Sequence, residues 1–400
     1  MIYEKALESL RLQRGDALQL ARRAIAAEPE LVAARLLEAY LLAYSRDMRD
    51  FETAGWAFAR LAGLPMREHE RAHTAALAAV IDGDVARASH IHDAILAEAP
   101  HDTLALWAAQ TMDYFLGNAE SLRERSGRVL ARSSLRQAGY HMMLSLHAFG
   151  LGECGDYAAA ESAALRALEL EPDDVRAEHA LLHVFEMQGR AAEGVRRLEF
   201  HEGRLGTINH LAWHLALFHL QLDLPEEALA VYDARLRLDT LPELIDASAL
   251  LWRLGLAGAD IGERFTPLAV RWAQHAEDAF CAFNDVHAMM AFAGAERWDW
   301  AQRLLAAQER RLANAQGANH DMTRLVGYPA CRALAAFGRG DFRSAESLLR
   351  ALPPVAHRMG GSHAQRDVLM LTRAAAATRR TRFAQGDLHA SFVPERLAAA

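Results

Sequence analysis

The sequence predicts an all-α chain of stacked helix pairs, and three observations predict it. Short turn signals recur at a fixed step along the 400 residues. Small residues recur at a fixed place after those turns. No stretch shows β-branched residues alternating with polar ones, the pattern of a half-buried strand. The composition, 52% hydrophobic and 24% charged, is that of a globular chain without low-complexity bias.

The turns come first. They stand at Gly15-Asp16, Arg49-Asp50, Gly83-Asp84, Gly117-Asn118, Gly155-Asp156, Gly189-Arg190, Asp223-Leu224 and Gly340-Asp341. The first four are 34 residues apart, the next step is 38, and two more of 34 follow. Thirty-four residues is the length of a tetratricopeptide unit, a helix–turn–helix. The Gly in six of these turns suits the left-handed backbone that ends the first helix of a pair. Five residues after their turns stand Ala54, Ala88, Ala160, Gly194, Ala228 and Ala345, where two helices must approach closely. Pro100 and Pro172 fall where a second helix ends. The regular repeats cover 1–234, where the period lapses. Helical patterning continues through 235–380, with one helix over Leu241 to Leu256, another over Asn284 to Ala293, and Pro329 opening a third. The irregular half lets the C-terminal helices fold back and close the superhelix on itself. Residues 381–400 read as a loosely held tail.

Charge and cysteine content narrow the function classes. A net charge of −8 disfavours nucleic-acid and anionic-membrane partners, which need a basic field. The single lysine, Lys5, leaves no interior amine for Schiff-base chemistry and no phosphate-binding P-loop. Cys154, Cys281 and Cys331 are too few and too scattered for a disulfide framework or zinc ribbon. The N-terminus lacks the apolar stretch of a signal peptide. The longest apolar run, Ile208 to Leu224, carries His210, His214, His219 and Asp223, which a membrane span rarely tolerates. A cytoplasmic protein is expected.

Two motifs read as coincidences. Gly150, Gly152 and Gly155 match a dinucleotide-binding glycine pattern, but they follow a helix and the last is already a repeat turn. His69, Glu70 and His73 match the H-E-x-x-H of zinc proteases. They begin a first helix with no evident third ligand and are expected to form a solvated helix start. No G-x-S-x-G elbow points to a serine hydrolase.

The polar stripes carry more. His179, His183 and Glu186 lie at i, i+4 and i+7, so one helix face presents two imidazoles and a carboxylate. In the next unit His210, His214 and Gln221 share a face. First helices line the concave side of tetratricopeptide arrays, so both stripes are expected to face one groove. His179, His183, Glu186, His210 and His214 have the ligand types and spacing for a divalent metal, zinc above all. The same groups also suit acid–base work or a hydrogen-bonded polar network.

These residues also carry a family resemblance. The stretch with His179, His183, Glu186 and Met187 resembles a segment of the tetratricopeptide repeat protein 38 family. Four further segments resemble that family in the same order. They hold His210, Trp213 and His214; Asp246, Ser248 and Arg253; Phe283, Asn284, Asp285 and His287; and Gly360 to Asp367. The likeness covers roughly three quarters of the chain and is thinnest over its first 65 residues and its tail. It implies a helical superhelix and adds Asp246, Asn284, Asp285, His287, Gln365, Arg366 and Asp367 to the polar positions, but brings no activity.

Two functions fit. In the first, a concave pocket binds a small polar or anionic ligand or a peptide segment, with His210, His214, Asn284, Gln365, Arg366 and Asp367 reading it. In the second, the chain is a hydrolase or lyase for a small polar substrate. There His179, His183, Glu186, Asp246, Asp285 and His287 hold a metal or move protons, and Arg366 holds an anionic group.

Overall fold

The computed structural model describes residues 1–205, 208–314 and 317–384, with backbone alone for 382–384. It is an all-α helical-repeat protein; no strand occurs among the described residues. Contacts divide the chain into two compact units, Met1–Val184 and Phe185–Ala400. The division falls inside a helix, whereas the 34-residue period lapses some fifty residues later; contact density and sequence period mark different things. Residues 381–384 continue the last helix, and the rest of the expected tail lies outside the described residues.

The first unit is a run of antiparallel helix pairs: α1 (Ile2–Leu12) with α2 (Ala17–Ala27), α3 (Val32–Ala43) with α4 (Met48–Ala59), and α5 (Glu68–Ile81) with α6 (Val85–Glu98). Next come α7 (Thr103–Leu116) with α8 (Ala119–Leu130) and α9 (Tyr140–Glu153) with α10 (Tyr157–Leu170). It ends in α11 (Val175–Met187), whose last three residues open the second unit. The Gly-Asp turn explains the pairing. Gly15, Gly83, Gly117, Gly155 and Gly189 all have φ between 68° and 83°. Only glycine adopts that conformation without penalty. After two of these turns the next side chain caps the second helix: Asp16 accepts the N–H of Gln19, and Asp84 that of Arg87.

One expected turn is misplaced. Arg49 and Asp50 lie inside α4, and the left-handed residue is Arg46, with φ 65°. Asp47 accepts the Arg49 N–H and starts the helix early, so its cap overrides the 34-residue register. The small residues do their expected work: Ala54, Ala88 and Ala160 are fully buried. Gly150 belongs to packing too, since a Cβ there would lie 2.6 Å from the backbone of Leu122 and Arg123.

Within the first unit the first helix meets the last. Arg176, buried at the start of α11, donates to the carbonyls of Arg11 (3.0 Å) and Leu10 (3.4 Å) at the end of α1. The Leu10 carbonyl also accepts the Gln13 N–H at 3.4 Å, so the guanidinium joins the backbone in capping this helix end. Arg14 pairs with Asp173 beside it, at 3.1 Å.

The second unit holds α12 (Ala191–Phe200), α13 (Glu202–Leu205), α14 (Asn209–Gln221), α15 (Pro225–Arg235) and α16 (Leu241–Ala257). Then follow α17 (Phe265–Trp272), α18 (Ala282–Gly294), α19 (Trp298–Asn314), α20 (Ala318–Met322), α21 (Tyr328–Gly338), α22 (Phe342–Leu349), α23 (His363–Arg366) and α24 (Val368–Ala384). Gly194 and Gly340 play their repeat roles; a Cβ on Gly194 would lie 2.2 Å from the Phe218 ring. Helix α16 is the centre of this unit, buried from Leu244 to Gly255 without a break. Trp272 donates to Ser248 on α16 (2.9 Å), and Trp252 of α16 donates to Thr372 on α24 (2.9 Å). The C-terminal helix α24 therefore packs against α16. No described helix is long and apolar enough to cross a membrane.

Candidate functional site

Helix α14 explains why polar groups gather in the second unit. It is buried from Leu211 to Phe218, so any imidazole on it must find a partner inside the protein. His214 is fully buried, and its Nδ1 lies 2.9 Å from Glu186 Oε2. One turn earlier, His210 Nδ1 lies 2.9 Å from Asp246 Oδ1. Asn209 donates to the other oxygen of Asp246 (3.2 Å), and Gln221 donates to the Glu186 carbonyl (3.3 Å). The two imidazoles stand edge to face with centroids 5.1 Å apart, and His210 stacks on Trp213 at 5.2 Å.

Arg253, buried in α16, completes the group. Its guanidinium donates to the carbonyls of Ala249 (3.3 Å) and Ala364 (2.6 Å), pairs with Asp367, and lies 5.7 Å from the Trp213 ring centroid. Burial raises the Glu186 carboxyl to about 7, against the opposing pull of Arg253 and His210. Burial likewise pushes the His214 imidazolium well below its ordinary range, and the positive charges of His210 and Arg253 push it the same way. Burial thus works against the charged form of both partners in the Glu186–His214 contact. Glu186, His210, His214, Asp246, Arg253 and Asp367 form one neighbourhood drawn from α11, α14, α16 and the end of α23. His210 and Asp367 are its more exposed members.

The other expected residues divide. Gln365 sits in a capping box with Ser362, each accepting the other's backbone N–H at 3.1 and 3.3 Å. Arg366 donates to the Gly361 carbonyl. Gly361, with φ 80°, rests so close to Phe283 that a Cβ would lie 2.4 Å from its ring, which seats α23 on α18. His287 lies on that same face of α18, its Nδ1 donating to the Phe283 carbonyl at 2.7 Å. Asp285 is half a turn away and faces α19, where Gln308 donates to it at 2.9 Å. Residues two apart on a helix are rotated by about 200°, so Asp285 and His287 meet different neighbours. Neither Asn284 nor Asp285 caps α18; Asn319 accepts the Ala282 N–H there instead.

His179 and His183 belong to the first unit. Their Nε2 atoms are 2.8 Å apart, and Phe149 packs against both rings, at 5.9 and 5.4 Å. Glu186 comes one turn after His183 on the same helix. An i,i+4 pair of this kind can chelate a metal. His210 and His214, held through Nδ1 by carboxylates, are oriented as ligating or proton-transferring imidazoles are. Sequence reasoning missed Arg253, although an arginine inside an otherwise apolar helix was its visible signal. It also misjudged His69, Glu70 and His73. Glu70 and His73 are buried, and Asp102 lies against both imidazoles, so this is no solvated helix start.

Compared with models of known protein families, the chain matches none.

Proposed function

We propose that this chain is a tetratricopeptide-type binding protein, similar to the tetratricopeptide repeat protein 38 family, that takes a small polar ligand in its second unit. Glu186, His210, His214, Asp246, Arg253 and Asp367 are the binding set. One observation carries this reading: two imidazole–carboxylate pairs and an arginine–carboxylate pair converge from separate helices in one mostly buried neighbourhood. Packing does not ask for it, because replacing such groups with apolar side chains of similar volume is often neutral or stabilising. Arg253 and the imidazoles suit a carboxylate, phosphate or amide on the ligand. We infer a cytoplasmic location from the cysteine content, because three scattered cysteines make no disulfide framework.

The test is native mass spectrometry of the purified chain, followed by thermal-shift screening against small carboxylates, phosphates and amides. A stabilising compound whose effect is lost in His210→Ala and in Asp367→Asn supports the site. Equal stabilisation of both variants, or none of the wild-type chain, overturns it.

A second reading is acid–base catalysis. The Glu186–His214 pair favours it, because a carboxyl raised to about 7 exchanges protons readily near neutrality. Turnover of a bound compound, lost in Glu186→Gln with binding retained, would select this reading.

A further inference from the structure

Another polar cluster lies wholly in the first unit and plays no part in the site above. His69 and His73 are one turn apart on α5, and Asp102 is the N-cap of α7. Asp102 Oδ1 accepts the Ala105 N–H at 2.8 Å, which fixes the carboxylate and turns Oδ2 toward α5. His69 Nε2 lies 2.7 Å and His73 Nε2 2.9 Å from that one oxygen. The three donor atoms are all within 4.8 Å of one another.

The chain supplies its own comparison. Seventy-two residues further on, His141 Nδ1 lies 2.8 Å from Asp174 Oδ2, and Asp174 Oδ1 accepts the Ala177 N–H at 3.0 Å. His141, Asp174 and Ala177 are the counterparts of His69, Asp102 and Ala105. The counterpart of His73 is Ser145, which bonds its own helix. A single imidazole therefore suffices to tie one helix pair to the next. The second imidazole at His73 exceeds what the tie requires. It is also held from one side only, since its Nδ1 is buried with no hydrogen-bond partner among the described residues.

We propose that His69, His73 and Asp102 bind a divalent transition-metal ion of the zinc type, leaving one coordination position open to solvent. Two imidazole nitrogens and a carboxylate oxygen are the ligand chemistry of such ions, and three protein ligands leave the fourth place for water or a small anion. His73 is buried and Asp102 partly so, while the His69 side chain is 50% exposed and gives the ion its way in. Ligands about 2.0 Å from zinc stand about 3.3 Å apart on a tetrahedron. The two nitrogens need retreat only a few tenths of an ångström from Oδ2, which the exposed His69 ring can do. The cluster is not a protease centre, because the Glu70 carboxylate is held by the Arg67 side chain (2.6 Å) and backbone N–H (2.9 Å).

The full chain, stripped with a chelator, is titrated with Zn²⁺ by calorimetry and with Co²⁺ by visible absorbance. The expected result is an ion whose affinity drops by about tenfold or more in His69→Ala and in His73→Ala. It should be unchanged in His141→Ala and in a His183→Ala, His214→Ala double variant. Circular dichroism of the metal-free variants separates ligand loss from misfolding, and the exposed His69 tolerates replacement. No binding by the wild-type chain, or binding that survives His69→Ala intact, overturns the site. So does binding lost only in the His183→Ala, His214→Ala variant.

Discussion

A carboxyl group removed from water holds its proton more tightly, and Asp285 is the clearest case outside the candidate site. Burial raises it to about 7, although the hydrogen bond from Gln308 pulls the other way. The folded chain therefore binds a proton that the unfolded chain has already released between roughly pH 4 and 7. Stability at this residue is complete below that window and falls as the pH climbs through it. Urea unfolding of Asp285→Asn should show a flatter pH profile than wild type across the window, with the variant gaining relative stability at pH 8. Equal slopes would show that Asp285 is ionised in the fold. Cys331 beside it is pushed well above the ordinary thiol range by burial and by Asp285. It should react with iodoacetamide far more slowly than the half-buried Cys154, as peptide mapping would reveal. At this scale the sequence was partly legible. His210 and His214 stood out as imidazoles on an apolar helix, whereas Asp246, which lies against His210, was named only through the family resemblance. The sequence could not pair Asp285 with Gln308, nor His69 with Asp102, because such partners come from neighbouring helices whose relative rotation no local pattern encodes.

Helices here are punctuated by two residues with separate tasks, a glycine that turns the chain and an aspartate that starts the next helix. Gly83→Ala keeps open space around the new methyl but forces φ 75° on a side chain, and should cost about 1 kcal/mol. Asp84→Ala loses the bond to the Arg87 N–H and should cost about 1 kcal/mol. Gly194→Ala is a packing problem instead: its Cβ would meet Phe218, so about 1–3 kcal/mol is expected, partly relieved by Phe218→Leu. Double-mutant unfolding measures that relief, and strictly additive losses would place the strain elsewhere. Punctuation of this kind is what made the helices readable: Gly15, Gly83, Gly117, Gly155, Gly189 and Gly340 all take the conformation their spacing implies. The misread turn near Arg49 shows the limit. Where no glycine marks the bend, a nearby Asp47 cap sets the helix start, and counting by 34 misplaces it.

At the scale of the whole chain, each compact unit is fastened by a contact between its distant parts. In the second unit Trp252 reaches Thr372 and Arg379 donates to the Gly255 carbonyl at 3.1 Å, so α24 secures α16. In the first, Arg176 caps the end of α1. Arg176→Met should leave two backbone acceptors of α1 without their buried donor, at about 2–3 kcal/mol, read as a lower urea midpoint. A change below 0.5 kcal/mol would mean that water replaces the guanidinium. The Arg176 contact was not readable beforehand, since an arginine 165 residues from its partner leaves no periodic trace.

Repeat arrays ordinarily settle one module after another as they leave the ribosome, each needing only its neighbour. The Arg176 fastening denies the opening module that independence. The end of α1 must wait until some 165 further residues have been made before it is secured. Until then that helix end stays open to water, and so to proteases and chaperones.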